Sequence, residues 1–200
     1  MNAITEGFGG RRSSSNPPLP PGQYLTRDFP VLSAGPTPAI SREQWQFSVR
    51  VEGGQDHQWD FTGLSALGVV DITADLHCVT GWSKLGTSWR GVPVDAIMRE
   101  VGETAAGQVL AHSYGGYTTN LPLVDLLHGR AWLAFEYEGQ PLTAEHGGPV
   151  RLLVPHLYLW KSAKWVRELT VMSEAAVGFW EGLGYHSYGD PWLEQRYWRD

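Results

Sequence analysis

Apolar and polar residues alternate along several short segments of the chain, which is the pattern of a half-buried β-strand. The clearest segment covers residues 45–51, where Trp, Phe and two Val are separated by Gln, Ser and Arg. A run with two glycines follows at residues 52–56 and predicts a turn. A second strand is predicted at residues 69–78. Further strands are predicted at residues 109–113, 132–137, 150–154 and 165–172.

Helical spacing of apolar residues is confined to short segments. Residues 91–101 place four apolar side chains at i, i+3, i+4 and i+7, and Pro93 suits the first turn of a helix there. Residues 121–127 predict another short helix with Pro122 in its first turn, and residues 61–67 predict a single helical turn. The sequence therefore predicts an α+β fold that is predominantly β, with short helices.

The amino-terminal residues have a different composition from the rest. Residues 1–21 are rich in Gly, Ser and Pro and predict a flexible arm, whereas residues 22–200 predict one folded domain. Arg11 and Arg12 are followed by no apolar run, so no secretory signal is predicted. No window reaches the roughly 18 apolar residues of a spanning helix, and we expect a cytoplasmic protein without a membrane span.

Charge and motif content narrow the classes of function. A formal charge of -6 and a pI near 5.6 disfavour nucleic-acid binding, which requires a basic surface. No His-Glu-x-x-His or Cys-x-x-Cys occurs, so a zinc site is not expected. The Gly-rich residues 7–10 are not preceded by a predicted strand or followed by Lys-Ser/Thr, and a phosphate loop is not expected there.

Cys78 is the only cysteine in 200 residues and stands at the end of a predicted strand. An isolated thiol can pack in a core, act as a nucleophile, or serve as a soft metal ligand. A strand end holds a side chain rigidly beside loops, where ligands commonly bind. The neighbouring His77 points to the other side of the strand, which favours packing or a hydrogen bond over metal ligation.

A second candidate site is formed by residues 140–151 and 161–166. His146, Arg151 and Lys164, together with two glycines, suit an anion, because arginine clamps phosphate and glycine admits close backbone approach. A solvated basic loop beside a tight turn accounts for the same residue types.

Four stretches together resemble the molybdopterin-binding domain of the sulfite oxidase family. The stretch at residues 76–83 resembles the family segment that supplies a thiolate to molybdenum, and residues 142–151 resemble its pterin-phosphate loop. The run Ser162-Ala163-Lys164 resembles its serine-x-lysine contact, and residues 24–30 resemble the arm that closes over the cofactor. The resemblance extends from about residue 22 to 198 and is strongest to small bacterial members.

The resemblance implies a sulfite oxidase-type fold with mixed sheets and a molybdenum-molybdopterin cofactor. It implies Cys78 as the metal ligand and Tyr117 as an active-site residue, with Tyr114 as the alternative tyrosine. The cofactor-binding residues that it implies are Arg27, Asp28, Cys78, Ser113, His146, Arg151, Ser162, Ala163 and Lys164.

The function implied by the resemblance is oxygen-atom transfer to or from a small-molecule substrate such as sulfite or a sulfoxide. The short chain is expected to be monomeric and to exchange electrons with an electron-transfer protein or a small redox acceptor. Residues 79–82 lack the arginine that follows the cysteine in sulfite oxidases proper, which disfavours sulfite. Trp82 and Trp160 are expected pocket residues.

Two other classes of function are alternatives to this hypothesis. The first is a non-catalytic or degenerate cofactor-binding module that docks on an electron-transfer partner. The second is a cysteine hydrolase that pairs Cys78 with His112 or His146. The presence of molybdenum would exclude the hydrolase, and turnover would exclude the module.

Overall fold

The computed structural model of the chain describes residues 17–200. Most of the predicted arm and the Gly-rich residues 7–10 lie outside the described residues. Pro20, near the end of the predicted arm, is buried. Arg196 donates a hydrogen bond to the carbonyl of Pro21, so the end of the chain contacts this segment.

Short strands and a few short helices make up the described part of the chain. The strands, in chain order, are β1 Tyr24–Leu25, β2 Gln46–Val51, β3 His57–Asp60, β4 Val70–His77, β5 Trp82–Pro93, β6 Gln108–Ser113, β7 Thr118–Pro122, β8 Trp132–Tyr137, β9 Gln140–Pro141, β10 Arg151–Leu153 and β11 Val166–Met172. The α-helices are α1 Phe61–Ala66 and α2 Val94–Val101, and single 3-10 turns cover Leu123–Leu126, Ala144–His146, Leu159–Lys161 and Glu181–Leu183. The α+β class with predominant β structure is confirmed.

The strands form two mixed sheets. In the first, β5 pairs with β1 in parallel and with β4 and β8 antiparallel, while β8 also pairs with β9 and β10. In the second, the order is β3-β2-β11-β6-β7, and only the β2–β11 pair is parallel. β10 lies in the first sheet and β11 in the second. Residues 154–165 join the two strands, so this connection crosses from one sheet to the other.

The alternation in the sequence matches the burial of the strands. Along β2, Phe47 and Val49 are fully buried while Gln46 and Arg50 are exposed, as one buried face of a sheet requires. The larger core packs side chains from both sheets, including Leu133 of β8 and Leu169 of β11. A smaller apolar cluster around Leu76, Trp82 and Trp89 surrounds the cysteine.

Most predicted elements are confirmed, but two of the three helix predictions shift. Helix α2 begins at Val94, and residues 91–93 belong to β5 because they hydrogen-bond with β8. The segment at residues 121–127 is a strand end followed by the 3-10 turn Leu123–Leu126, because Leu121 and Pro122 pair with β6. Strands β1, β3, β5, β7 and β9 were not predicted from the sequence.

Within residues 17–200, no helix is long and apolar enough to cross a membrane. The same residues contain no group of three or more His, Cys, Asp and Glu side chains placed to hold a metal ion.

Candidate functional site

A cavity of about 380 Å³ opens beside the end of β4 and the turn into β5. Its walls come from the arm segment after β1, the β4–β5 turn, the β6–β7 loop, the β10–β11 connection and the segment after β11. Six of the residues predicted from the sequence line this one cavity, namely Cys78, Tyr117, His146, Arg151, Ser162 and Lys164. Trp82 and Trp160 also line it, as expected.

Cys78 follows the last residue of β4 and begins a tight turn. Its backbone N–H donates to the carbonyl of Trp82 at 2.9 Å, and the N–H of Gly81 donates to the carbonyl of Cys78 at 3.0 Å. Gly81 has a φ of 101°, a left-handed conformation that favours glycine. The turn therefore fixes the backbone on both sides of the thiol.

The thiol of Cys78 faces the cavity from an almost enclosed position. Only 6% of the residue is exposed, and burial raises the pKa of the thiol. The hydroxyl of Thr80 donates to Sγ at 3.1 Å, and this bond together with the charges of Arg196 and Lys164 acts in the opposite direction. Those three groups favour the thiolate, which is the form that coordinates a metal.

His77 is not directed at the same site. Its Nδ1 lies 2.8 Å from the hydroxyl of Ser83 on the neighbouring strand, and the ring is buried. Burial lowers the pKa of His77. The expectation of a hydrogen-bonded histidine is confirmed.

We define the basic end of the cavity as His146, Arg151, Ser162 and Lys164. The guanidinium of Arg151 is its most deeply buried charge. Arg151 is 2% exposed, and burial lowers its pKa to about 10. Its Nη1 donates to the carbonyl of His146 and its Nη2 to the carbonyl of Ser162, both at 2.9 Å. The hydroxyl of Ser162 accepts the backbone N–H of Val154 at 2.9 Å. These bonds lock the guanidinium against the wall of the cavity.

Lys164 provides the second positive charge of the basic end. Its Nζ donates to the carbonyls of Leu32 at 2.7 Å and Glu145 at 2.6 Å. Burial and the charge of Arg151 lower its pKa to about 8. An anion beside these two cations would relieve their mutual repulsion, because an opposite charge favours the charged form.

A glycine brings the loop at residues 142–151 against this lysine. Gly147 has a φ of 105°, and an added Cβ would lie 3.0 Å from the Cα of Lys164 and from the Cβ of Arg151. Its carbonyl accepts the backbone N–H of Trp165 at 3.2 Å. The loop therefore packs closely against Lys164 and Arg151 at Gly147, whereas close approach of its backbone to an anion stays a prediction.

His146 completes the basic end as a neutral ring. Phe29 stacks on it with ring centroids 4.0 Å apart and an interplanar angle of 7°. Burial, with the charges of Arg151 and Lys164, lowers its pKa to about 4. Within residues 17–200 its buried Nδ1 has no hydrogen-bond partner.

Trp82, which lines the cavity near the cysteine, contributes an unpaired hydrogen-bond donor. The indole N–H of Trp82 is buried and finds no partner in the described part of the chain. Buried polar atoms are normally paired, so Trp82 Nε1 and His146 Nδ1 indicate a polar ligand. A soft thiol, two cations and two unpaired polar atoms fit a phosphate-bearing, sulfur-ligated metal cofactor.

The aromatic end of the cavity, defined as Tyr117, Trp160, Phe179, Trp180 and Tyr185, differs in composition. The phenol of Tyr117 donates to the carbonyl of Trp160 at 2.5 Å, and burial raises its pKa well above the usual value. The phenol of Tyr114 instead donates to the carbonyl of Gln46 at 3.0 Å. Of the two candidate tyrosines, Tyr117 therefore lines the cavity.

Four of the predicted site residues are not brought to the cavity wall. Arg27 and Asp28 are exposed, and their side chains do not line the cavity. Ser113 is 2% exposed and Ala163 is 1% exposed, and both pack behind the lining. Contact between these four residues and a ligand stays a prediction.

Several lining residues were not identified from the sequence. Phe29, Leu32 and Thr80 adjoin predicted residues, and their positions next to the arm and the cysteine were the available signal. Phe179 and Tyr185 lie in a carboxy-terminal segment without strand periodicity. That segment reaches the cavity because Phe179 donates its backbone N–H to the carbonyl of Thr118 at 2.9 Å.

Comparison with known proteins gives a consistent family match. The family model "Oxidoreductase molybdopterin binding domain" matches residues 34–180. The uncharacterized oxidoreductase YuiH of Bacillus subtilis is 43% identical over 190 residues, covering 94% of this chain and 96% of the relative.

More distant relatives have named activities. The putative protein-methionine-sulfoxide reductase subunit YedZ1 of Azospira oryzae is 31% identical, over 86% of this chain and 67% of the relative. Mitochondrial sulfite oxidase of Drosophila melanogaster is 27% identical, over 80% of this chain but 33% of the relative. The sulfane dehydrogenase SoxCD of Paracoccus pantotrophus has the same fold, with a TM-score of 0.63, 20% identity, and coverage of 70% of this chain and 41% of that chain.

Proposed function

This chain belongs to the oxidoreductase molybdopterin-binding domain family, and from that membership we propose that it catalyses oxygen-atom transfer with Cys78 as the protein's ligand to molybdenum. It is a molybdopterin-dependent oxidoreductase of the sulfite oxidase family, and its cofactor is the molybdenum cofactor. The proposal adds the reaction type, the metal ligand and the residues that hold the cofactor.

The observation that carries the proposal is the convergence of distant segments on one cavity. Cys78 shares that cavity with His146, Arg151 and Lys164, although up to 86 residues separate them in sequence. A core cysteine would need no cations beside it, and a solvated basic loop would not bury Arg151 to 2% exposure. One ligand with a soft metal and a phosphate accounts for both groups.

The residues of the basic end would hold the cofactor by its phosphate and pterin. Arg151 and Lys164 supply charge-assisted hydrogen-bond donors, which are about twice as strong as neutral ones. The unpaired His146 Nδ1 and Trp82 Nε1 offer further polar contacts to the pterin. When bound, the cofactor supplies two-electron redox chemistry and the capacity to accept or donate an oxygen atom.

The protein contributes position and exclusion of water. Burial raises the pKa of the Cys78 thiol, and the hydrogen bond from Thr80 to the sulfur acts against this and orients the proposed ligand. The arm covers the basic end through Phe29, whose ring stacks on His146. Lys164 holds the same arm by donating to the carbonyl of Leu32.

A neutral S-oxide is the substrate class that the aromatic end supports better than sulfite. Among the described lining residues Arg151 is the only arginine, and it lies at the basic end, where the proposal assigns it to the cofactor phosphate. Phe179, Trp180 and Tyr185 offer apolar faces that suit an uncharged thioether sulfoxide. YedZ1, named as a putative methionine-sulfoxide reductase subunit, supports the same choice.

Electrons for the reaction come from outside the chain in this proposal. Reduction of a sulfoxide consumes two electrons and two protons and releases a thioether and water. A redox protein or a small redox carrier would supply the electrons. The relative YedZ1 is itself named as a subunit, which supports a protein partner.

The experiment is metal analysis followed by steady-state assays on protein expressed in a host that makes the molybdenum cofactor. We expect molybdenum and pterin in the purified protein and turnover of small sulfoxides with a reduced viologen dye. Sulfite should be oxidised more slowly with an acceptor dye. Folded protein that carries the cofactor but turns over no sulfite, S-oxide or N-oxide would instead be a cofactor-binding module.

A further inference from the structure

The turn that carries Cys78 is held by side chains from two distant segments. Gln23, just before β1, donates from Nε2 to the carbonyl of Cys78 at 3.0 Å. Arg196 donates from Nη1 to the carbonyl of Val79, the residue that follows the cysteine. In the sequence, 55 residues separate Gln23 from Cys78, and 117 separate Arg196 from Val79. Tertiary contacts therefore fix the turn in addition to its own hydrogen bonds.

Arg196 contacts the segment before β1 as well as the turn. Its Nη2 donates to the carbonyl of Pro21 at 3.3 Å, and its guanidinium carbon lies 5.3 Å from the ring centre of Tyr158. Its side chain is 18% exposed, and the half-exposed Glu194 lies 3.8 Å from Nη2. A planar guanidinium bonds two acceptors in fixed directions, which the single ammonium of a lysine does not. These contacts set the orientation of the guanidinium.

The backbone that carries Arg196 is itself fixed. Residues 184–200 form a loop, called here the carboxy-terminal loop, in which Tyr185 and Tyr197 pair as an antiparallel bridge. The N–H of His186 donates to the carbonyl of Arg196 at 3.1 Å. Tyr185 also lines the cavity. The same loop therefore contributes to the cavity wall and reaches the cysteine turn.

Gln23 connects the cysteine to the strand that follows the turn. Its Oε1 accepts from the hydroxyl of Ser83 at 3.2 Å, and that hydroxyl lies 2.8 Å from Nδ1 of His77. Ser83 is fully buried. The amide of Gln23 therefore bonds to residues at both ends of the turn, and His77 belongs to this network.

These contacts reach the sulfur through Thr80. Arg196 holds the carbonyl of Val79 and, because a peptide group is planar, also the peptide bond between Val79 and Thr80. The hydroxyl of Thr80 donates to Cys78 Sγ at 3.1 Å. A rotation of that peptide bond would move the hydroxyl away from the sulfur. Hydrogen-bond partners of this kind orient the ligands of a metal site.

We propose that Gln23 and Arg196 are positioning residues that hold the cysteine turn and so fix the direction in which Cys78 Sγ meets the metal. The inference rests on the proposed function, because it takes Cys78 as the protein's ligand to molybdenum. Neither Gln23 nor Arg196 lines the cavity, so neither acts by touching the cofactor or the substrate. Both act through the turn.

The first test is amide hydrogen exchange, measured by NMR on the protein without cofactor. The probes are the N–H groups of Cys78 and Gly81, which donate to the carbonyls of Trp82 and Cys78. Arg196→Gln removes a charged donor from the turn, so we expect these two groups to exchange about 10–100-fold faster. Exchange in strands β2 and β11 should stay the same. Unchanged exchange at Cys78 and Gly81 would overturn the proposal.

Arg199→Gln is the matched control for Arg196→Gln. Arg199 lies in the carboxy-terminal loop, is exposed, and has its guanidinium carbon 4.5 Å from the ring centre of Trp198. The substitution removes the same charge from the same loop, and we expect wild-type exchange at the cysteine turn. An equal increase in both variants would mean that loss of charge in the loop, and not the contact with Val79, controls the turn, which would overturn the proposal.

Two further variants test the proposal if Arg196→Gln does not fold. Gln23→Leu keeps the length of the side chain and removes both of its hydrogen bonds, so exchange at the turn should increase about 2–10-fold, as the loss of neutral hydrogen bonds predicts. Arg196→Lys keeps the charge but not the planar fork, and its exchange should lie between those of wild type and Arg196→Gln. Wild-type exchange in both Gln23→Leu and Arg196→Lys would overturn the proposal.

The second test reads the position of the sulfur in molybdenum-loaded enzyme without relying on turnover. The electron paramagnetic resonance signal of the partly reduced metal depends on the geometry of its ligands. We expect a shifted or broadened signal in Arg196→Gln and a wild-type signal in Arg199→Gln, at equal molybdenum content. A lower melting temperature with a wild-type signal in Arg196→Gln would mean that Arg196 only stabilises the fold, and the proposal would be wrong.

Cys78→Ala separates failure of this inference from failure of the proposed function. A wild-type signal in loaded Cys78→Ala would overturn the ligand assignment and with it this inference. A changed signal in Cys78→Ala together with a wild-type signal in Arg196→Gln would overturn the inference alone.

Discussion

The two ends of the cavity are built from different chemistry. The basic end places Arg151 and Lys164 beside a neutral His146, and its polar groups are fixed by backbone carbonyls. The aromatic end presents rings such as Phe179 and Trp180, with Tyr117 as its hydroxyl. Cys78 belongs to the same cavity as both. In the proposed function, the charges of the basic end hold the anionic cofactor and are kept away from the substrate.

Changing the cysteine should have the largest effect on turnover. Cys78→Ala removes the proposed metal ligand but only a small volume from the core, so we expect loss of turnover by at least about 1,000-fold with a destabilisation of roughly 1 kcal/mol. Sulfoxide reduction and thermal unfolding measure the two effects. Full activity in this variant would show that Cys78 is not the ligand.

Removing a charge at the basic end should reduce cofactor retention. Lys164→Met deletes a charge-assisted donor worth about 1.5–3 kcal/mol, which corresponds to roughly 10–100-fold weaker retention. Molybdenum and pterin content after gel filtration measures it. Lys84→Met is the matched control, because Lys84 also donates to an arm carbonyl, that of Arg27, but lies outside the cavity lining. If both variants lose the same amount of cofactor, then Lys164 only holds the arm and does not bind the cofactor.

Removing a ring at the aromatic end should weaken the binding of substrate and leave the binding of cofactor unchanged. Phe179→Ala is expected to raise KM for a small aryl sulfoxide by about 2–10-fold, as the loss of one aromatic contact predicts. Molybdenum content should be unchanged. Val177→Ala, at an exposed position two residues away, should change neither value. A loss of cofactor in Phe179→Ala would remove the distinction between the two ends.

The smallest effect concerns the acid stability of the protein without cofactor. The pKa of His146 is lowered from 6.5 to about 4, so the unfolded state binds more protons between those values. We therefore expect stability to fall as the pH decreases from about 6.5 to about 4. Urea unfolding of His146→Gln should show a shallower loss over this range than wild type, whereas His57→Gln, outside the cavity, should follow wild type. Identical slopes in all three would contradict a neutral, buried His146.

Much of the fold could be predicted from local pattern. Strand β2 was predicted because its apolar and polar residues alternate, which indicates one buried face. Strand β5 was missed because Gly86, Gly91 and several polar residues interrupt its pattern, although it is the centre of its sheet. Strand β7 was missed because Thr119 is polar yet fully buried, a position that depends on Glu181.

The parts of the site that lie in continuous sequence motifs could be predicted. The parts that are assembled by tertiary contacts could not. The cysteine turn and the residues from His146 to Lys164 resembled a known family, and that family is confirmed. The aromatic end comes from a segment that has no periodicity, and backbone contacts such as Phe179 to Thr118 bring it to the cavity. Glu181, which accepts from Thr119 and Lys161 behind this end, carries no signal in the sequence.

The most direct test of the central claim is X-ray absorption at the molybdenum edge of wild type and Cys78→Ala. If Cys78 coordinates the metal in the cavity, the variant should retain molybdenum through the basic end and show one fewer sulfur neighbour than wild type. An unchanged number of sulfur neighbours in a loaded, folded variant would contradict the assignment of Cys78.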